Sequence, residues 1–294
     1  MAEIIDGKKI AEEIKAELQI EVDRLKREGV TPGLAGVLVG DDPASALYVN
    51  MKEKACRQLG IFFEKIIRPK TFAESELLKL IDSLNERDDI DGILVQDPLP
   101  GHIDEGKAIL RIDPAKDVDG FHPLNHGLML AGKEAFYPAT PLGIVELLWR
   151  SGHKPEGKHV VILGRGYLVG RPLSVLLALK EPKANATVTV CHTGTPNVAD
   201  FTRQADILVA AIGRAFYVRA DMVMPGAVVI DVGTNRIEDP SHPKGARLVG
   251  DVDFEQVKHV AGAITPVPGG VGPMTIAMLL TNLLKAARRR LVNA

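Results

Sequence analysis

A glycine-rich turn stands between an apolar strand and an apolar helix in KHVVILGRGYLVGRPLSVLLALK, residues 158–180. Its glycines Gly164, Gly166 and Gly170 are spaced G-x-G-x-x-x-G, one residue longer than the usual dinucleotide fingerprint. Glycines let the backbone approach a pyrophosphate, and the N-terminus of the following helix offers unpaired N–H donors. The stretch therefore predicts a dinucleotide-binding unit. The alternative is a tight strand-to-helix turn that binds no ligand.

Strands and helices alternate on both sides of this unit. Short apolar runs bounded by turn residues predict strands at 33–40, 61–67, 91–96, 158–163, 187–191, 206–211, 227–232 and 262–265. Apolar residues at helical spacing predict helices at 7–28, 44–60, 74–86, 141–151 and 274–291. Such alternation is typical of right-handed βαβ units, so we expect an α/β fold with largely parallel sheets. A length of 294 residues suits two domains.

Composition excludes several classes of protein. Lys and Arg number 36 against 38 Asp and Glu, and this net charge of -2 argues against a nucleic-acid partner. Only Cys56 and Cys191 are present, which excludes a disulfide framework and favours a reducing compartment. The longest apolar run, 274–284, is too short to span a membrane, and the first residues lack a signal-peptide core. We expect a soluble cytoplasmic protein with no membrane partner.

The end of the second strand after the turn bears on which nucleotide binds. An NAD site usually has a carboxylate there for the ribose 2′-hydroxyl, but this strand ends in Cys191-His192-Thr193. Arg165, inside the turn, could hold a 2′-phosphate through two parallel hydrogen bonds. NADP is therefore favoured over NAD. The alternative for Arg165 is an ordinary solvated loop arginine.

A second candidate site lies in the first half of the chain. Tyr48 and Lys52 are four residues apart on a predicted helix and share one face. Gln96 and Asp97 follow a strand, and Asp119 lies in an irregular loop, RIDPAKDVDGFHP. A lysine beside an amide and a carboxylate can be tuned for acid–base work. Each of these residues can also be explained without a site: Lys52 as a surface lysine, Tyr48 as a core residue, and Asp119 as a turn former.

Two histidines in the same region raise the question of a metal. His122 and His126 are four residues apart and follow Asp119. Pro123 interrupts the segment and no further ligand pair is evident, so we interpret both as turn or helix-capping residues and predict no metal site.

Several segments resemble the bifunctional methylenetetrahydrofolate dehydrogenase/methenyltetrahydrofolate cyclohydrolase family over essentially the whole chain. They are YVNMKEKAC (48–56), ILVQDPLPGHID (93–104), PAKDVDGFHPLN (114–125), GRGYLVGRPLSVLL (164–177) and TPVPGGVGPMT (265–275). The resemblance implies a folate-binding catalytic domain at 1–139 plus 274–294 and a Rossmann-like NADP-binding domain at 140–273. It also implies a cleft between them that holds the active site, and a homodimer.

Roles for individual residues are implied by the same resemblance. Lys52 would be the general acid–base group, Tyr48 would align the folate, Gln96 would tune Lys52, and Asp119 would bind the polar edge of the pterin. The remaining implied residues are Pro268, Gly269 and Gly270 near the substrate, Gly164, Arg165 and Gly166 at the nucleotide phosphates, Thr193 near the 2′-phosphate, and Thr234 by the nicotinamide.

Three positions depart from the family pattern. Gly166 replaces a serine of the turn, Gly194 replaces a lysine after the second strand, and Asp97 replaces a leucine beside the folate site. The first two bear on the strength of the NADP preference. The third adds a charge near the folate, and it bears on the balance between the two activities.

The implied chemistry is NADP-dependent oxidation of 5,10-methylenetetrahydrofolate to the methenyl compound, followed by hydrolysis to 10-formyltetrahydrofolate. Two other functions stay open from the residues alone. One is a nicotinamide-dependent dehydrogenase of another small acid, and the other is a non-catalytic nucleotide sensor on the same fold. The group around Lys52 favours the folate enzyme, because a hydroxy-acid dehydrogenase would need a histidine or arginine constellation.

Overall fold

A computed structural model of the chain describes residues 1–240 and 245–293. Residues 241–244 and 294, which fall inside the predicted ranges 140–273 and 274–294, lie outside the described residues. The strands are β1 (Glu3–Ile4), β2 (Gly33–Val39), β3 (Phe62–Arg68), β4 (Gly92–Val95), β5 (His159–Leu163), β6 (Thr187–Cys191), β7 (Ile207–Ala210), β8 (Val228–Asp231), β9 (Asn235–Glu238), β10 (Ala246–Val249) and β11 (Ala263–Ile264). The helices are α1 (Gly7–Arg27), α2 (Pro43–Gln58), α3 (Glu74–Asn85), α4 (Glu105–Arg111), α5 (Pro123–Leu130), α6 (Ala139–Arg150), α7 (Gly170–Ala178), α8 (Val198–Thr202), α9 (Phe254–Val257) and α10 (Val271–Asn293).

The larger sheet has six parallel strands in the order β1-β11-β8-β7-β5-β6. β5 and β7 are almost wholly buried, which suits strands covered on both faces. From β5 the chain passes to β6 on one side and later to β7 on the other. Ligands of open α/β sheets bind at the carboxyl ends of the strands where the order reverses in this way, so the β5–β7 edge is the expected site.

The smaller sheet has three parallel strands in the order β3-β2-β4. Its central strand β2 is buried at every residue, whereas the edge strand β3 has one buried residue, Ile66. The apolar face of α3, Leu77, Ile81 and Leu84, packs into the core beside this sheet. The sheet thus provides a rigid edge for the loops that follow β2 and β4.

The chain divides into two compact units, which we name by their sheets. The three-stranded unit comprises residues 13–139 and 276–294, and the six-stranded unit comprises residues 1–12 and 140–275. The domain bounds expected from the sequence stay a prediction, and the compact units differ from them in placing residues 1–12 with the larger sheet. These residues join the six-stranded unit because Glu3 and Ile4 pair with Ala263 and Ile264.

The predicted strands and helices are all present, with ends that shift by at most three residues. The sequence gives no bounds for the short strand β1, the antiparallel pair β9–β10 and the helices α4, α5, α8 and α9. β1 has only two residues, and β9 (NRIE) and β10 (ARLV) together have one buried residue, Val249, so none of the three strands carries a clear apolar pattern. Among the described residues, no helix combines the length and apolar character that a bilayer crossing needs.

Candidate active site

Tyr48 and Lys52 lie one turn apart on α2, as their spacing predicts. The helix begins at Pro43, and the Asp42 side chain caps it by accepting a hydrogen bond from the Ser45 amide at 2.7 Å. Tyr48 keeps 38% of its surface exposed, so its ring is available to a ligand. Lys52 is half-buried. The helix therefore presents an aromatic ring beside a partly sheltered amine.

The Lys52 amine is held by Gln96, which directly follows β4. Lys52 Nζ donates to Gln96 Oε1 at 3.0 Å, and Gln96 Nε2 donates to the Asp97 carbonyl at 2.7 Å. Because the amide nitrogen already has an acceptor, the amide oxygen is turned toward the lysine. Gln96 is itself tied to the sheet, since its backbone N–H donates to the Val37 carbonyl at 2.8 Å. The predicted pairing of Lys52 and Gln96 is thus present in the structure.

Burial acts on both charges of this cluster. Desolvation lowers the pKa of Lys52, against the opposing attraction of Asp119. Desolvation also raises the pKa of Asp119 to about 6, although the nearby Lys52 pulls it down. Both shifts favour the neutral forms and bring the proton affinities of the amine and the carboxyl group closer together, as is typical of groups that do acid–base work.

The loop that carries Asp119 is supported by Asp117. The buried Asp117 carboxylate accepts hydrogen bonds from the amides of Gly120, Phe121 and His122 at 2.8–3.2 Å, and from Asn125 Nδ2 at 2.8 Å. The two aspartates of the DVD motif therefore differ: Asp117 organises the loop, while Asp119 faces Lys52.

A second support comes from α10 and was not predicted. Asn282 Nδ2 donates to the carbonyls of Val118 and Tyr137 at 2.8 and 2.9 Å, and the residue is 3% exposed. A lone asparagine within an otherwise apolar helix segment was the available sequence signal. It ties the last helix to the loop beside Asp119.

The histidine pair serves a helix terminus. His122 is the N-cap of α5, and its Nδ1 accepts a hydrogen bond from the Leu124 amide at 3.1 Å. Burial lowers the pKa of His126. The capping role predicted for His122 is therefore present.

A cavity of about 540 Å³ lies in the six-stranded unit at the carboxyl ends of β5, β6 and β7. Its lining residues come from the glycine turn and from the loops after β6 and β7: Leu163, Gly164, Arg165, Gly166, Cys191, His192, Thr193, Thr195, Val198, Ala211, Ile212, Arg214 and Tyr217. No carboxylate is among them, whereas two arginines are. The lining suits an anionic ligand at the expected edge of the sheet.

The glycines of the turn are required for its close packing. A Cβ on Gly164 would lie 2.1 Å from the Ala211 carbonyl oxygen, and φ there is +111°. A Cβ on Gly170 would lie 2.1 Å from the Gly164 carbonyl oxygen. Gly166, by contrast, faces open space within 4 Å. The turn is therefore closed on the protein side and open toward the cavity, a cradle that fits a pyrophosphate before the N-terminus of α7.

The remaining residues that were predicted to bind the nucleotide or the substrate lie in loops that follow several strands of the six-stranded sheet. Thr193 lines the cavity with Arg165. Thr234 is exposed after β8, and the segment 268–270 joins β11 to α10. Neither of these lines the cavity. Their loops nevertheless leave the carboxyl ends of strands in the sheet that carries the glycine turn.

The cavity and its glycine turn are typical of an α/β protein that binds a dinucleotide. Two family models complete the assignment: "Tetrahydrofolate dehydrogenase/cyclohydrolase, catalytic domain" matches residues 5–119, and "Tetrahydrofolate dehydrogenase/cyclohydrolase, NAD(P)-binding domain" matches residues 138–291. The chain belongs to the tetrahydrofolate dehydrogenase/cyclohydrolase family.

Individual relatives are similar to this chain over nearly its full length. The bifunctional protein FolD of Dehalococcoides mccartyi is 56% identical, with 98% of this chain and 97% of the relative covered. The crystal structure of the bifunctional FolD of Campylobacter jejuni is 46% identical, with a TM-score of 0.93 and coverage of 99% and 100%. The Trypanosoma brucei dehydrogenase-cyclohydrolase, solved with NADP and an inhibitor, is 41% identical, with a TM-score of 0.93 and coverage of 99% and 98%.

These matches confirm the predicted family and the two-domain α/β fold. They also confirm the predicted bifunctional folate enzyme and its nicotinamide dinucleotide cofactor. The roles of individual residues stay predictions.

Proposed function

We propose that the chain oxidises 5,10-methylenetetrahydrofolate with NADP and then hydrolyses the methenyl product to 10-formyltetrahydrofolate, with Lys52 as the acid–base group. The observation that supports Lys52 most directly is its hydrogen bond to Gln96 in a desolvated setting beside Asp119. Desolvation lowers the pKa of Lys52 and so favours its neutral form more than in a surface lysine, while the Gln96 oxygen orients the amine.

NADP, when bound, accepts the hydride from the methylene carbon. The protein's part in this step is placement. The Gly164–Gly166 turn and Arg165 would hold the phosphates, while Tyr48 would align the folate ring. Placement of two reacting groups alone can account for a large part of a rate enhancement.

Hydrolysis needs proton transfer as well as placement. Water adds to the cationic methenyl carbon and loses one proton, which leaves a hydroxyl group on that carbon. The hydroxyl group then loses its proton and becomes the formyl carbonyl, while the bond from the carbon to one ring nitrogen breaks and that nitrogen gains a proton. One proton in total is released to the solvent. Lys52 would take a proton from the attacking water and return one to the departing nitrogen. Gln96 holds the amine in one orientation through both transfers.

The reaction is tested by the absorbance of the methenyl compound. Purified protein mixed with methylenetetrahydrofolate and NADP should produce a transient rise at the methenyl band, followed by its decay. No absorbance change would contradict the proposed function. A rise without decay would support the proposed dehydrogenase activity and contradict the proposed cyclohydrolase activity.

Asp119→Ala is expected to weaken folate binding and to lower both activities while NADP binding persists. A carboxylate can accept hydrogen bonds from the amino group and a ring N–H of a pterin, and charged hydrogen bonds contribute about 1.5–3 kcal/mol each. Calorimetry with folate and with NADP separates the two affinities. Lost NADP affinity with normal folate affinity would show that the assignment is wrong.

Folate affinity is expected to fall as pH drops through about 6. The pKa of Asp119 in the free protein is raised to about 6 by burial, and bound N–H donors favour its ionised form. Binding therefore depends on a carboxylate that is ionised above this pH and protonated below it. The Michaelis constant for folate, measured from pH 5 to 8, should rise on the acid side. Asp119→Asn should lack that rise, and an unchanged acid-side rise would contradict the role of Asp119.

We further propose a cytoplasmic homodimer that binds neither nucleic acid nor membranes. The family resemblance supports the dimer. Cys56 and Cys191 are buried and unpaired, as suits a reducing compartment, and burial raises the pKa of Cys56 to about 12. The near-zero net charge of -2 supports the absence of a nucleic-acid partner. Light scattering that gives twice the 31.7 kDa of one chain would support the dimer.

A further inference from the structure

The loop after β7 forms one wall of the nucleotide cavity, and a buried carboxylate shapes it. Asp251 Oδ2 accepts hydrogen bonds from the amides of Ile212 at 2.7 Å and Gly213 at 3.0 Å, and Oδ1 accepts from the Arg214 amide at 2.8 Å. Asp251 is fully buried. Asn235 Nδ2 donates to it at 2.9 Å. The backbone at Arg214 is therefore held in place by a buried carboxylate that accepts four hydrogen bonds.

The continuation of the loop is also constrained. Phe216 has φ of +57°, in the left-handed region that bulky residues rarely adopt, and its amide donates to the Gly250 carbonyl at 3.3 Å. Such backbone conformations persist where the surrounding structure imposes them, and they concentrate at ligand-binding sites. This turn brings the Tyr217 ring beneath the Arg214 side chain.

The Arg214 guanidinium is held by an aromatic contact but forms no ion pair with a carboxylate among the described residues. Its Cζ lies 5.0 Å from the centroid of the Tyr217 ring, a cation–π arrangement that limits where the side chain points. Within residues 1–240 and 245–293, neither Arg214 nor Arg165 forms an ion pair with a carboxylate. Both arginines line the same cavity, and none of its lining residues is acidic. The cavity thus holds two guanidinium groups without carboxylate partners in the described part of the chain, on the loops after the neighbouring strands β5 and β7.

The loops after β5 and β6 bring one cationic side chain to the cavity. Gly166, after β5, and Gly194, after β6, have no side chains to offer a phosphate. Arg165 is therefore the one arginine or lysine that these two loops contribute to the cavity lining. Arg214, from the loop after β7, adds a second positive charge to the same lining.

We propose that Arg214 is a second specificity-determining residue, which binds the 2′-phosphate of NADP together with Arg165. The loop after β6, which lines the same cavity, is where the 2′ position of the adenosine ribose is recognised in this fold. Tyr217 and Asp251 act as positioning residues for Arg214. This inference rests on the proposed use of NADP.

The test compares NADP and NAD on purified full-length Arg214→Gln. The Michaelis constant for NADP should rise by about tenfold or more, while the constant for NAD and kcat with saturating NADP stay close to wild type. Arg219→Gln is the matched control, because Arg219 is exposed in the same segment but does not line the cavity, and it should leave both constants unchanged. Equal losses with NADP and NAD, or no loss with either, would overturn the proposal for Arg214.

A double variant shows whether the two arginines share one phosphate. If they do, Arg165→Ala and Arg214→Gln together should cost less in NADP affinity than the product of the single effects. Independent effects that multiply would place the two guanidinium groups on different phosphates and overturn the shared site. A wild-type enzyme without any NADP preference would refute the proposed cofactor choice as well. Wild-type preference that Arg214→Gln leaves intact would refute Arg214 alone.

Discussion

Lys52→Met is expected to abolish hydrolysis of methenyltetrahydrofolate while measurable dehydrogenase activity remains. Methionine keeps the length of the side chain but has neither the charge nor the transferable proton. Removal of a general acid–base group typically lowers a rate about 10²–10⁴-fold. Hydride transfer needs two aligned carbons and no obligatory protein base. Methenyltetrahydrofolate should therefore accumulate in the variant, and its absorbance band should rise and persist.

The structure gives the physical reason for choosing Lys52. An unperturbed lysine has a pKa of about 10.4, too high to act as a base near neutrality. Burial lowers the pKa of Lys52, and Gln96 Oε1, 3.0 Å away, accepts a hydrogen bond from the amine in either protonation state. Cyclohydrolase activity should therefore increase with pH as Lys52 loses its proton.

Lys54→Met is the matched control, because Lys54 lies on the same helix but is exposed. It should retain both activities. If Lys52→Met still hydrolysed the methenyl compound at the wild-type rate, Lys52 would have no part in the mechanism. Asp97 would then be the next candidate, ahead of His102, whose Nε2 is already hydrogen-bonded to the Phe72 carbonyl at 3.0 Å.

The parts of the fold that could be predicted from the sequence are those with a local signal. β6 is predicted at its observed bounds because TVTVC, residues 187–191, is rich in β-branched residues and is followed by a turn. β1 could not be predicted, because its two residues become a strand only by pairing with Ala263 and Ile264 far along the chain. The packing of residues 1–12 with the six-stranded unit depends on the same non-local pairing.

The candidate sites likewise contain residues with a local sequence signal and residues without one. Helical spacing sufficed to put Tyr48 and Lys52 on one face, and the glycine turn was evident from its motif. Asp251 and Arg214 carried no such signal, because their connection is a hydrogen bond between segments that are distant in sequence. The support that Asn282 gives to the loop of Asp119 is equally non-local. Motifs thus indicated which groups do chemistry, while the residues that position them required the tertiary structure.

Arg165→Ala is expected to reduce the preference for NADP over NAD by roughly 10- to 150-fold. A bidentate contact between a guanidinium and a phosphate contributes about 1.5–3 kcal/mol, and NAD lacks the phosphate that would receive it. Arg165 lines the cavity and has no carboxylate partner in the described part of the chain, so its charge is available to the ligand. The Michaelis constants for both cofactors measure the change.

Arg171→Ala provides the control for this variant, because Arg171 is an exposed arginine at the start of α7 that does not line the cavity. It should leave the cofactor preference unchanged. If Arg165→Ala weakened NADP and NAD equally, Arg165 would contact a phosphate common to both, and the 2′-phosphate would be left to Arg214 and Thr193. A general loss of fold would instead lower the melting temperature, which should stay at the wild-type value because the Arg165 side chain is exposed. Selective loss of NADP at an unchanged melting temperature is therefore the result that assigns Arg165 to the 2′-phosphate.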